Sequence, residues 1–134
     1  MQNIVLDTNA LLMAISAKSD YHRAWMAFLE GRYTLCITNE IIEEYHEVIA
    51  RNINLHLADT IVFIILSRSN VRKIDVHYRF NLITTDPDDN KFVDCAVAAN
   101  AKFIVTEDHH FNILHSIPFP HIEVIDLQTF INIL

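Results

Sequence analysis

The sequence predicts an α/β fold built on a parallel sheet. Short runs rich in β-branched residues alternate with longer helical segments along all 134 residues. At this length, with 51% apolar residues, the chain is expected to form a single domain, 1–134, around one core. It holds a single glycine, so neither a glycine-rich phosphate loop nor a dinucleotide fingerprint is possible, since each needs at least two.

Asn3 to Leu6 reads as a buried strand ending at Asp7, followed by a helix from Asn9 to Ala17. Asp20 is a plausible N-cap for a second helix through Leu29, which Gly31 closes. Tyr33 to Ile37 is the second strand, and Thr38 caps a third helix reaching about Arg51. Asn54 opens a fourth helical region through Ser67, although the Ile61–Leu66 run has strand composition too. Val71 to Ile74 is a third strand, and Val76 to Asp88 reads as loop. An Ala- and Val-rich helix covers Asp89 to Asn100, followed by a short strand from Phe103 to Val105. A brief helix near Phe111 to Leu114, a strand from Glu123 to Ile125 and a helix capped by Asp126 complete the chain. Asn52, Asn70 and Asn100 stand near helix ends, where a left-handed residue is often needed.

The charge balance is acidic, 17 Asp and Glu against 10 Lys and Arg, a formal net of -7. That disfavours a generic nucleic-acid coat, but not an enzyme that gathers metal ions before a polyanion. The two cysteines, Cys36 and Cys95, sit in apolar runs and make no disulfide framework, which fits a cytoplasmic location. No secretory signal and no membrane-spanning run is visible, so no membrane partner is expected.

In an open parallel sheet, ligands bind beyond the carboxyl ends of the strands. Asp7 lies at the end of the first strand, and Asp108 follows the strand ending at Val105. Glu40, Glu43, Glu44 and Glu47 occupy the third helix; Asp86, Asp88 and Asp89 precede the Ala-rich helix, and Asp94 lies within it. At about 100° per residue, Glu44 lies at the margin of the apolar face of the third helix, closer in than Glu40. Asp89 projects into the buried stripe of its own helix, and Asp94 falls on a flank. Taken singly, Asp89 and Asp108 could be helix caps, Asp7 a turn residue and the glutamates a solvated face. Together they would repel one another unless a cation neutralised them, and oxygen ligands favour Mg²⁺ or Mn²⁺ over zinc. The eight histidines are scattered, and His109 and His110 are adjacent rather than at ligand spacing. Arg51 and Lys91 lie near acidic segments, as phosphate contacts or as solvated balancing charges.

The ordered pieces are Ile4-Val5-Leu6-Asp7-Thr8-Asn9, Thr38-Asn39-Glu40-Ile41-Ile42-Glu43-Glu44-Tyr45, Asp86-Pro87-Asp88-Asp89-Asn90-Lys91-Phe92 and Ile104-Val105-Thr106-Glu107-Asp108. Their order and spacing resemble the PIN-domain family, especially the VapC-like toxins of prokaryotic toxin–antitoxin pairs. The resemblance spans essentially the whole chain. It implies a three-layer α/β/α sandwich with a central parallel sheet. It also implies a ribonuclease that hydrolyses RNA phosphodiesters with one or two Mg²⁺ or Mn²⁺ ions.

By position, Asp7, Glu44, Asp89 and Asp108 match the family's acidic quartet, with Asp88 an alternative register for the third acid. Asp94 matches an additional acid, joining Asp7, Asp89 and Asp108 as metal ligands. Asn9 and Thr106 match small polar positions that orient the cluster, and Glu40 is a further supporting acid. The implied partners are an RNA substrate, an antitoxin and a possible homodimer, the latter two served by apolar residues of the second and fourth helices. The competing reading is a non-catalytic metal- or protein-binding module that keeps the fold. A phosphatase of the haloacid-dehalogenase type would need an acid two residues after Asp7, where Asn9 stands.

Overall fold

The computed structural model describes residues 1–134. Five parallel strands form one sheet: β1 (Asn3–Leu6), β2 (Thr34–Ile37), β3 (Val71–Lys73), β4 (Phe103–Val105) and β5 (Val124–Ile125). Their order is β3-β2-β1-β4-β5. Ile4 pairs with Leu35 on one side and Phe103 on the other, and Leu6 pairs with Val105. The three central strands, β2, β1 and β4, are short runs buried on both faces of the sheet, and Ile4, Val5, Leu35, Cys36, Ile104 and Val105 have no exposed surface; the edge strands β3 and β5 are only partly covered.

Six α-helices surround the sheet: α1 (Thr8–Ile15), α2 (His22–Leu29), α3 (Asn39–Asn52), α4 (Leu55–Ser67), α5 (Asn90–Ala99) and α6 (Leu127–Asn132). From β1 the chain moves to β2 and β3 in one direction, then crosses back to β4 and β5 in the other. Right-handed connections place α1 to α4 on one face and α5 on the other. α1 packs on α2 and α3, α4 packs on α3, α6 packs on α2, and α5 lies across β1, β2 and β4. The expected three-layer sandwich is therefore present. Its core is a cluster of 34 buried apolar residues, in which Trp25, Phe28, Tyr33 and Phe130 form a chain of tilted and edge-on ring contacts.

The helix signals mark where the backbone turns. Thr38 accepts from the Ile41 amide, Asn54 from Leu57 and Asp126 from Thr129, each as an N-cap. α4 is helical throughout, because Ala58, Ile61 and Ile65 form a buried stripe at helical spacing. Some expectations need correction. Asp20 does not cap α2; the Ser19 hydroxyl takes the Tyr21 amide one turn earlier. α1 ends at Ile15, short of Ala17, and the segment after Asp108 is a 3₁₀ helix, His109–Ser116.

Of the three asparagines expected in left-handed backbone, only Asn100 adopts it, at φ 50°; Asn81 is the other one that does. Asn70 instead donates to the Phe28 and Tyr33 carbonyls. Replacing Asn100 with Ala removes the residue that tolerates this conformation, and about 1 kcal/mol of stability is expected to be lost. Chemical denaturation checks this; an unchanged midpoint would show that the turn relaxes.

Candidate active site

The sheet has one topological switch point, between β1 and β4, where connections leave in opposite directions. Such a point opens a crevice beyond the carboxyl ends of the strands. Asp7 follows β1 and Thr106 follows β4, so both project into this crevice. The Asp7 amide donates to the Val105 carbonyl at 3.1 Å, which ties the two strand ends together.

Asp7 is buried, with 5% exposure. Its Oδ1 accepts from the Ala10 amide at 2.7 Å, capping α1, and its Oδ2 accepts from the Thr106 hydroxyl. Burial pushes its pKa up to about 6; the Thr106 and Ala10 hydrogen bonds pull it down, while Asp108 and Glu107 add repulsion. Thr106 Oγ1 also accepts from the Asp108 amide at 3.0 Å, so one hydroxyl fixes both acids.

Asp89 ends a 3₁₀ turn, Pro87–Asp89, that leads into α5. Its side chain makes no cap hydrogen bond, so the capping alternative does not hold. Its Oδ2 is buried without a hydrogen-bond partner. Burial first, then repulsion from Asp86 and Asp108, pushes its pKa up to about 7. Asp88, the alternative third acid, has a side chain 72% exposed and pairs with Lys91 at 3.0 Å.

Glu44 reaches the cleft from α3, as its place at the margin of the apolar face implies. Both its oxygens are occupied: Thr8 Oγ1 donates to one and Lys91 Nζ to the other, the latter at 2.7 Å. Lys91 is therefore neither a solvated charge nor a free phosphate contact. Burial pulls its pKa down, but the bonds to Glu44 and Asp88 outweigh that, and the net shift is upward.

Asp7, Glu44, Asp89 and Asp108 line one cleft of about 330 Å³, together with Asn9, Arg51 and Asp86. Two other clefts are of similar size, one over Glu40 and Arg79 and one over the amino ends of β1 and β4. The first holds two carboxylates, Glu40 and Asp75, and the second one, Glu123. Glu40 pairs with Arg79 at 2.9 Å, away from the quartet. Asp94 is also held elsewhere: it is 3% exposed, and its Oδ1 accepts from the Phe80 amide at 3.0 Å. Burial raises its pKa, and the Phe80 bond opposes that shift.

Several residues shape the site without having stood out in the sequence. Thr8 orients Glu44. Asn90 exchanges two hydrogen bonds with the Ile83 backbone, at 2.9 and 2.8 Å, and so clasps the 76–88 loop to α5. That clasp sets where Asp86 and Asp89 stand. His110 brings its Nδ1 within 3.3 Å of Asp108 Oδ1 and 3.5 Å of Asp89 Oδ2. The donors fit a divalent cation, since an orphan buried carboxylate oxygen facing other carboxylates either keeps a proton or takes a counter-charge.

The sequence profile of the PIN domain matches residues 3–110. The chain belongs to the PIN-domain family. No curated protein matches it in sequence. Solved structures of the same fold do. VapBC2 of Rickettsia felis, bound to a DNA fragment from its promoter, aligns with a TM-score of 0.63 at 20% identity, over 92% of this chain and 98% of that one. The Mycobacterium tuberculosis toxin VapC20, which cleaves the sarcin–ricin loop, aligns at 0.61 and 14% identity, over 84% and 94%. DNA-bound VapBC of Salmonella typhimurium aligns at 0.59 and 18% identity, over 95% and 99%. This PIN domain thus spans nearly the full length of these relatives.

The family match includes the segments that supply Asp7, Glu44, Asp89 and Asp108 and stops at His110. The two thiols lie outside this chemistry. Cys36 and Cys95 are buried, and burial pushes Cys95 up to about 12 and raises Cys36. Neither is a nucleophile at neutral pH. No helix is long and apolar enough to cross a membrane.

Proposed function

We propose that this PIN domain is a metal-dependent endoribonuclease, the toxin half of a toxin–antitoxin pair, acting as one domain over residues 1–134. The observation that carries this reading is the cleft at the switch point, lined by Asp7, Glu44, Asp86, Asp88, Asp89 and Asp108, in which one buried oxygen of Asp89 has no hydrogen-bond partner. The related VapC20 is itself an RNA-cleaving toxin, and the VapBC relatives support a protein partner.

Asp7, Asp89 and Asp108 are the residues that would hold Mg²⁺ or Mn²⁺. When bound, a divalent ion lowers the pKa of water and neutralises charge on a phosphodiester. The chain's own residues prepare for that. Thr106 donates to Asp7 and accepts from the Asp108 amide, locking two carboxylates in one orientation. Glu44 already has Lys91 as its counter-charge, so its role is to orient water rather than to ligate. Asn9 and Arg51 line the open side of the cleft, where they meet the sugar–phosphate chain. Asp94 acts at a distance, fixing the 76–88 loop through Phe80, and Glu40 steadies Arg79 on the same loop.

Exposed apolar side chains remain for a partner. Phe63 and Leu66 of α4 are 73% and 56% exposed, and Met26 of α2 is 43% exposed. An antitoxin or a second copy of the chain would bury them.

Incubation with end-labelled single-stranded RNA tests the proposal. Cleavage is expected in Mg²⁺ or Mn²⁺, and its complete loss in excess chelator, restored by adding the ion back. Cleavage that continues in chelator, or none with either ion, would overturn the reading and favour a non-catalytic binding module.

A further inference from the structure

The nuclease reading leaves His110 unused, although the fold aims it at the cleft. The 3₁₀ helix starts at Asp108, whose Oδ1 accepts from the His110 amide at 2.9 Å. That bond fixes the backbone at His110, whose side chain is 45% exposed. Its Nδ1 then lies 3.3 Å from Asp108 Oδ1 and 3.5 Å from Asp89 Oδ2, and the latter oxygen has no hydrogen-bond partner. On the far side stands Asp86. One of its oxygens accepts from the Asp88 amide at 3.2 Å, leaving the other free.

Asp86, Asp89 and His110 each place one donor atom within 4.8 Å of the other two. Ligands on one divalent ion sit about 2.0–2.3 Å from it, so two of them lie at most about 4.6 Å apart. The three donors need only close slightly on an ion. Chemistry then decides which ion. Mg²⁺ takes oxygen and keeps its waters, whereas imidazole nitrogen suits borderline transition ions.

We propose that Asp86, Asp89 and His110 form a mixed nitrogen–oxygen subsite that takes a transition ion, Mn²⁺ or Zn²⁺, in preference to Mg²⁺. This rests on reading the cleft as a divalent-metal site and goes beyond the all-oxygen set of Asp7, Asp89 and Asp108. Asp89 is the shared wall. One of its oxygens faces His110, and its carboxylate also feels Asp7 and Asp108. The adjacent His109 faces a different hollow, with Asn112 and Asp126, and serves as the matched control.

Mn²⁺ is the probe, because its electron spin senses a directly bound nitrogen. Pulsed electron paramagnetic resonance of the Mn²⁺-loaded full chain should show ¹⁴N modulation. His110→Ala should abolish it and His109→Ala should keep it. Titration should show the Mn²⁺ dissociation constant rising on the order of tenfold or more in His110→Ala, with that for Mg²⁺ nearly unchanged. Circular dichroism checks that the variants fold.

Absence of nitrogen modulation in the wild type, or its survival in His110→Ala, would overturn the subsite. RNA cleavage in Mg²⁺ decides the nuclease reading separately. A chain that cuts RNA but shows no nitrogen coupling loses the subsite alone. One with His110-dependent coupling and no cleavage keeps the subsite and loses the nuclease.

Discussion

Asp7→Asn is expected to lower RNA cleavage at saturating Mg²⁺ by more than about 100-fold, while the protein stays folded. The substitution separates charge from shape. Asparagine has the size of aspartate, and its carbonyl can still accept from the Ala10 amide, which keeps the α1 cap. What disappears is the negative charge at the end of β1, in the position tied to β4 by the Asp7–Val105 hydrogen bond. Loss of a group that merely orients a ligand commonly costs 10–100-fold, so loss of a ligand itself should exceed that range. Thr106→Val is the natural comparison. It removes only the hydroxyl that orients Asp7 and Asp108, and a loss of roughly 10–100-fold is expected. Single-turnover cleavage of one labelled RNA measures both. Activity of Asp7→Asn within a few-fold of wild type would remove Asp7 from the machinery. A larger loss in Thr106→Val than in Asp7→Asn would reverse the assigned roles.

What the sequence disclosed, and what it hid, follows from which interactions are local. The central strands are legible because each is a short, mainly apolar run, and the caps Thr38, Asn54 and Asp126 because an N-cap acts only three residues along the chain. Helical phase placed Glu44 at the edge of the core, where it stands. For Asp94, phase gives the flank but not what covers it. The 76–88 loop returns over that flank of α5 and buries the side chain against Phe80. The path of a returning loop is not written in the period of the helix it covers. The same holds for Lys91, whose partner Glu44 lies 47 residues away, and for the Asn90 clasp on Ile83. His110 is not legible as a ligand from spacing along the sequence. The turn at Asp108 brings it instead to Asp86 and Asp89, which are distant in sequence and near in space.

The second large effect concerns stability, and its sign runs against the usual cost of altering a buried residue. Asp89 carries a pKa of about 7 and Asp7 one of about 6, both above their ordinary 3.8. Unfolded, each gives up its proton near 3.8. The folded state therefore holds protons that the unfolded state has lost. The associated stability is complete below about pH 3.8 and drains away as pH rises through 6 and 7. Metal-free protein should accordingly be less stable at pH 8 than at pH 5.

Asp89→Asn isolates one share of this, because titrations of groups remote from Asp89 cancel between variant and wild type. Asparagine has no charge to desolvate and relieves the repulsion from Asp86 and Asp108. The Asp89 side chain lies at an open cleft and is 16% exposed, so solvent screens part of the penalty. A gain of about 1–2 kcal/mol at pH 8 in chelator is the scale expected. In saturating Mn²⁺ the order should invert, since the ion stabilises only the chain that binds it. Thermal unfolding at pH 5 and pH 8, with chelator and with Mn²⁺, measures all four corners. If Asp89→Asn were less stable than wild type in chelator at pH 8, Asp89 would be a structural acid with a partner. If Mn²⁺ stabilised both proteins equally, the ion would be bound without Asp89. A gain that appears only without metal and only at high pH is the signature of a carboxylate held in place for a cation.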